Sequence, residues 1–326
     1  MHQIIPVTFA FLISFVGVWL IKTRLSKQLL DIPNERSSHT TPTPRGGGLG
    51  FIIAFAITLP LLLPPAQLLP IYLILTPLVV VGLIDDRQGV PSSIRYLVQI
   101  MTASIAVYYF GAFAQPWLTN GGILGSVLAI GLTLIAFTAI INFYNFMDGL
   151  DGIVAGCSLV QVVFLAFYLQ QPYLWLLAAA LLGFLCWNWS PAKIFMGDSG
   201  STFLGAMIAV SLLPHKDPVI AWSGLAITLP LVADTIYTLI CRLRDRENIF
   251  QAHRRHLFQR LQQSGLTHAT VASLYILTNL AIGILLWTMP VIGAMVSLAL
   301  VLGNIFIGEI YLTQKSLAKK YPSNNK

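Results

Sequence analysis

Runs of about twenty apolar residues, the length that crosses a bilayer as a helix, recur along this chain from end to end. Eleven can be delimited, at residues 3–22, 46–64, 67–84, 95–113, 122–144, 152–170, 172–188, 201–214, 219–241, 268–288 and 290–313. In hydrocarbon each backbone N–H and C=O must be satisfied within its own segment, so such runs become helices. The expected fold is an all-α polytopic integral membrane protein with about eleven transmembrane helices. Composition agrees, since the chain is 56% hydrophobic and only 10% charged, whereas soluble domains are about 25% charged.

The basic residues orient this array. With the N-terminus outside, the inward connections hold eighteen of the nineteen Lys and Arg, and Lys216 alone falls on the other side. Cytoplasmic loops carry the Lys/Arg excess, so the N-terminus is expected outside and the C-terminus in the cytoplasm. The net charge of +7 is thereby accounted for by topology, and nucleic acid is excluded as a partner. The first run lacks a basic leader and a small-residue cleavage site, so it reads as a retained span rather than a signal peptide. Cys157, Cys186 and Cys241 lie in or beside spans without metal spacing, which suits apolar packing. No internal repeat or low-complexity linker divides the chain, and residues 1–326 are expected to form a single domain.

Ten of the twelve acids also gather at the inner ends of spans or in inner connections. Acids at a membrane edge are unfavourable unless they bind a cation, titrate or face water. "DIPNERSSHTTPTPRGGGLGF" (31–51) has too many prolines and glycines for a helix; its glycines either admit a phosphate near the backbone N–H groups or allow close helix packing. "GLIDDRQGVP" holds Asp85 and Asp86, without the fifth-position acid of a DDxxD motif. "INFYNFMDGLDGI" spaces Asn142, Asn145, Asp148 and Asp151 three apart. If the helix continues through them, they share one face and offer oxygen ligands to a hard cation. Neither EF-hand spacing nor a DGxxAR signature is present. "NWSPAKIFMGDSGSTFLG" sets Asp198 in a small-residue turn that opens a helix, a geometry suited to phosphate. The largest inner loop, "RDRENIFQAHRRHLFQRLQQSG", combines His253, Arg254, Arg255, His256 and Arg260. Positive-inside charge explains its arginines, and bidentate phosphate binding explains the full set. Asp234 is either part of the same chemistry or the ion-pair partner of Arg242, two turns on.

The ordered motifs "DIPNERSSH…PTPRGGG", "GLIDD", "NFYNFMDGLDG", "PAKIFMGDSGS" and "HRRHLFQRL", spanning residues 31 to about 260, resemble the polyprenyl-phosphate N-acetylhexosamine-1-phosphate transferases. These form glycosyltransferase family four, in one superfamily with phospho-N-acetylmuramoyl-pentapeptide transferase. The "RSSH…PTPRGGG" and "HRRHLFQRL" forms are similar to the branch that starts O-antigen or capsule chains. The resemblance implies that UDP-N-acetylhexosamine and undecaprenyl phosphate react to give undecaprenyl-diphosphate-sugar and UMP. It implies Mg²⁺, with Mn²⁺ as a substitute, bound by Asp198 with Asn145 as second ligand. Asp85 and Asp86 are implied to act at the lipid phosphate, Asp85 as base. Asp148 and Asp151 would shape the nucleotide site, and Phe195 would stack on uracil. His253, Arg254, Arg255 and His256 would hold the diphosphate or sugar, with Arg36, His39 and Arg45 as further substrate contacts. A second copy of the chain, as a homodimer, is retained among the partners. The competing class is a membrane transporter or ion-coupled carrier, which would want charges at the midplane and broken helices in paired repeats. Here Glu309 is the one acid expected deep in a span.

Overall fold

The computed structural model describes residues 4–24, 30–33, 38–39, 41–248, 251 and 253–320. In chain order these form α1 (Ile4–Arg24), β1 (Leu30–Asp31), β2 (Thr43–Pro44), α2 (Gly48–Thr58) and α3 (Pro65–Gln88). Then come α4 (Ser92–Phe110), α5 (Pro116–Thr119), α6 (Gly122–Met147), α7 (Ile153–Tyr168), α8 (Leu174–Asn188) and α9 (Asp198–Leu212). The chain closes with α10 (Pro218–Ala226), α11 (Leu229–Arg244), α12 (Leu257–Gln263), α13 (His268–Thr288) and α14 (Pro290–Lys320). The two short strands pair antiparallel, Leu30 opposite Pro44 and Asp31 opposite Thr43.

Each of the apolar runs contains a helix, and the run at 219–241 is broken between α10 and α11. Five helices are long and apolar enough to cross a membrane, and α10 with α11, bent by 70°, makes a sixth if taken as one span. Their outer faces expose large apolar side chains such as Ile135, Ile284 and Phe306, the surface expected against lipid rather than water. The helices α2, α7, α8 and α9 have 11, 16, 15 and 15 residues, short of a full perpendicular crossing.

The short α9 sits at the centre. Every residue from Ser199 to Leu212 except Thr202 is buried, as in a helix that is covered all round. It packs against α3, α6 and α2. The approach to α3 is so close that a Cβ on Gly82 would lie 2.5 Å from Ser199 Cα, so only glycine fits there. That contact brings the inner end of α3, with Asp85 and Asp86, onto the first turn of α9.

The polar stripe expected along one helix face is interrupted. The helix α6 ends at Met147, so Asn142 and Asn145 lie on it while Asp148 and Asp151 lie in the following turn. Gly152, at φ 72° and ψ −5°, supplies the left-handed residue that reverses the chain into α7. Asn142 pairs with Gln99 of α4 through Nδ2–Oε1 at 2.7 Å, which ties two spans together.

Candidate active site

Two aspartates act as helix caps across the fold. Asp86 Oδ1 accepts from Asp198 N at 2.9 Å, and its Oδ2 accepts from Ser199 N at 3.3 Å and Ser199 Oγ at 3.0 Å. The N–H groups that open a helix are unpaired within it and carry a positive dipole end, so a carboxylate is a natural partner. This corrects the expectation that the turn before α9 leaves its N–H groups to phosphate. The glycine loop is likewise committed elsewhere. Gly47 N and Gly48 N donate to Phe195 O and Met196 O, both at 2.9 Å, while Phe195 N donates to Pro44 O at 2.8 Å. Those glycines hold residues 43–48 against 195–196, and their role is close backbone pairing.

The pairing leaves a cavity of about 330 Å³ where the C-terminal ends of α3 and α6 meet the N-terminal ends of α9 and α13, walled by Asp31, Ser38, His39, Arg45, Asp86, Asp148, Gly149, Leu150, Asp151, Asn188, Phe195, Met196, Gly197, Asp198, Gln259 and His268. Seven residues singled out in the sequence thus meet on one wall: His39, Arg45, Asp86, Asp148, Asp151, Phe195 and Asp198. Asn145 Nδ2 donates to Ser201 Oγ at 3.1 Å, and its amide also reaches the Asp198 carboxyl. Asp85 stands beside Asp198; it accepts from Val90 N at 2.6 Å and Arg95 Nη1 at 2.7 Å. The same Arg95 nitrogen lies 3.5 Å from Asp198. Arg45 Nη2 donates to the Asp86 carbonyl, and His39 meets the Phe195 ring edge-on at 4.8 Å between centroids.

Negative charge is in excess here. Burial, followed by the charges of Asp198, Asp86 and Asp151, pushes the Asp148 carboxyl up to about 8. Asp151 behaves oppositely. Burial raises it, but the hydrogen bond with His268, the Ala192 N–H and the His268 charge together hold it below the ordinary carboxylate range. Its Oδ1 is 3.2 Å from His268 Nδ1 and its Oδ2 accepts from Ala192 N at 3.1 Å. His268 Nε2 in turn is 3.2 Å from Ser38 O. Asn188 adds Oδ1 to Gly152 N at 3.1 Å and Nδ2 to Ile194 O at 3.0 Å. Asp151, His268 and Asn188 therefore pin the 148–152 turn.

The HRRH loop lies apart from this wall. Arg255 donates through Nη2 to Asp245 Oδ2 at 2.7 Å and through Nη1 to Glu247. It lines a second cavity of about 200 Å³ with Tyr237, Thr238, Cys241, Arg244, Arg260 and Glu309. His256 is buried with Nδ1 3.7 Å from Asp234, and the His253 ring stacks on it at 4.8 Å. Burial, then the charges of His256 and Arg242, pushes His253 down to about 4, so it is neutral at physiological pH. Arg254 lines neither cavity. The Arg36 expectation lies outside the described residues.

Asp234 is no partner of Arg242. It caps α12, accepting from Leu257 N at 2.9 Å and Phe258 N at 3.2 Å, and also takes Tyr275 Oη at 2.6 Å. Arg242 instead holds Glu247 Oε2 at 3.1 Å and the carbonyls of Asn248 and Gln251 at 2.6 and 2.9 Å. Glu309 is not a lone deep acid, since Arg260 donates to both its oxygens and Tyr237 Oη donates to it at 2.9 Å.

The sequence that builds this cavity has relatives among known proteins. The profile of glycosyl transferase family 4 matches residues 68–215. A decaprenyl-phosphate N-acetylglucosaminephosphotransferase of Mycolicibacterium smegmatis is 31% identical over 81% of this chain and 76% of its own. The chain belongs to glycosyl transferase family 4. An undecaprenyl-phosphate alpha-N-acetylglucosaminyl 1-phosphate transferase of Thermotoga maritima is 29% identical, over 77% of this chain and 78% of its own. A phospho-N-acetylmuramoyl-pentapeptide-transferase of Listeria monocytogenes is 29% identical over 71% and 80% respectively. In this family-4 chain the profile covers Asp86, the 148–151 turn and Asp198 of the cavity wall, and leaves His39, Arg45, Gln259 and His268 outside it.

Proposed function

We propose that this chain transfers N-acetylhexosamine-1-phosphate from a UDP-sugar to undecaprenyl phosphate, yielding undecaprenyl-diphosphate-sugar and UMP. The product initiates a cell-envelope polysaccharide such as O-antigen. The observation that carries the reading is Asp198 at the mouth of α9, facing Asp85 and touched by Asn145, in a cavity whose acids outnumber its cations. The relatives' names support the acceptor class: they act on decaprenyl or undecaprenyl phosphate. The partition of Lys and Arg supports eleven crossings, with the N-terminus periplasmic and the cavity on the cytoplasmic face of the inner membrane.

Mg²⁺ fits the donor set. Among the described residues no three His, Cys, Asp or Glu converge to hold a metal by themselves, and Mg²⁺ typically takes one or two carboxylates and completes its shell with water and substrate phosphates. Asp198 and Asn145 would hold it, and when bound it neutralises charge on the diphosphate. The chain's own residues do the remainder. Asp85, oriented by Arg95 and Val90 N–H, accepts the proton of the lipid phosphate. The phosphate oxygen then bonds to the β-phosphorus, and the bond from that phosphorus to UMP breaks. Phe195 and His39 present aromatic surface to the uracil, and Asp86 holds α9 so that Asp198 keeps its place.

The test is release of UMP from UDP-N-acetylglucosamine by purified protein. It is expected only with undecaprenyl phosphate and Mg²⁺ both present, and lost on chelation. Absence of UMP with every UDP-N-acetylhexosamine offered would sink the reading.

A further inference from the structure

Gln259 sits in the first turn of α12 with only 8% of its surface exposed, on the cavity wall. Its Oε1 is fully buried and has no hydrogen-bond partner. Its carboxamide lies over the 148–152 turn, with Nε2 3.2 Å from where a Cβ on Gly149 would stand. The position is held from behind: Asp234 fixes the Leu257 and Phe258 N–H groups, and the Phe258 ring packs on Gly149. A buried acceptor left unpaired is unfavourable, so folding alone does not favour it there. His39 Nε2, on the same cavity wall, is also buried without a partner. Arg45 Nε is a third, and three orphaned polar atoms on one cavity mark positions that a ligand completes.

Resting on the proposed reaction, we infer that Gln259 is a donor-substrate binding residue, whose Oε1 accepts a hydrogen bond from an N–H or O–H of the sugar nucleotide. A polyprenyl phosphate offers no N–H, and its phosphate is held near Asp85 in the proposed reaction, so the contact falls to the other substrate. Two parts of that substrate carry suitable donors: the uracil imide, and the acetamido or hydroxyl groups of the hexosamine.

Gln259→Leu removes the carboxamide at similar volume. Because it also removes an unsatisfied buried acceptor, thermal stability in detergent should hold or rise. In the UMP-release assay, KM for UDP-N-acetylglucosamine should increase about three- to tenfold, while KM for undecaprenyl phosphate stays within twofold. Gln259→Met should repeat this pattern, which guards against a packing artefact of either side chain. Competitive inhibition by UMP separates the sources. A matching loss of UMP affinity assigns the contact to the nucleotide, and unchanged UMP affinity assigns it to the sugar. Unchanged KM for the UDP-sugar in both variants overturns the inference, as does a lowered melting temperature with both KM values altered. Failure of the wild type to release UMP would instead overturn the reaction itself.

Discussion

Around the main cavity Asp31, Asp86, Asp148, Asp151 and Asp198 share the wall with Arg45 and His268. Beneath α11 and α14 the carboxylates of Asp245, Glu247 and Glu309 meet Arg242, Arg244, Arg255 and Arg260 in direct ion pairs. Both regions are dense in charge at helix ends, yet they differ in balance. In the second, each carboxylate has a guanidinium in contact, and Arg260 with Glu309 ties α12 to α14. In the first, burial and then the charges of the neighbouring acids raise Asp148 until it retains its proton near neutrality. Excess like charge in a fixed cavity is unfavourable without a cation. It therefore marks chemistry, and the matched network marks architecture.

The largest effect should come from the unbalanced side. Asp198→Asn is expected to lower UMP release about a thousandfold with little change in melting temperature, because the Asp198 side chain caps nothing; retained activity would break the contrast. On the architectural side, Asp234→Ala strips a buried acceptor from two backbone N–H groups and Tyr275. It should cost about 2–4 kcal/mol of stability in denaturant titrations, and an unaltered midpoint would show that α12 needs no cap. A third expectation concerns pH. A proton on Asp148 competes with a nearby cation below its raised value, so apparent Mg²⁺ affinity should strengthen, by up to about tenfold per unit, as pH rises toward 8. Calorimetry in buffers of different ionisation enthalpy would detect the released proton, and Asp148→Asn should flatten the dependence. The smallest effect belongs to Glu309→Gln. Its pair with Arg260 is partly exposed, so about 1 kcal/mol or less is expected, with kcat within twofold. A tenfold drop in kcat would move that network into the active machinery.

Much of the cavity was legible from types and spacing. Asp148, Asp151 and Asp198 stood out because acids beside apolar runs demand a reason, and the runs themselves placed the helices. Two kinds of information were hidden. One was where a helix stops: the three-residue spacing from Asn142 suggested a continuous face, and only the turn through Gly152 shows that Asp148 leaves it. The other was long-range pairing. Whether glycine and serine N–H groups are free depends on strands and carboxylates far away in sequence, such as Phe195 opposite Gly47 and Asp86 under Ser199. His268 and Asn188 had no local signal beyond being polar at the edge of an apolar segment, and Gln259 none beyond its place in a charged connection. Their meaning arises from what they face.

The cap that Asp86 places on α9 reaches across 112 positions of chain. During synthesis α3 therefore enters the membrane carrying an acid whose partners have not yet been made. Until α9 emerges, that side chain must stay at the aqueous boundary or borrow a surrogate from the insertion machinery. Chains truncated before Asp198 should consequently be recognised by quality-control proteases and cleared faster than chains cut after Leu212. Pulse-chase of nested truncations would show the step.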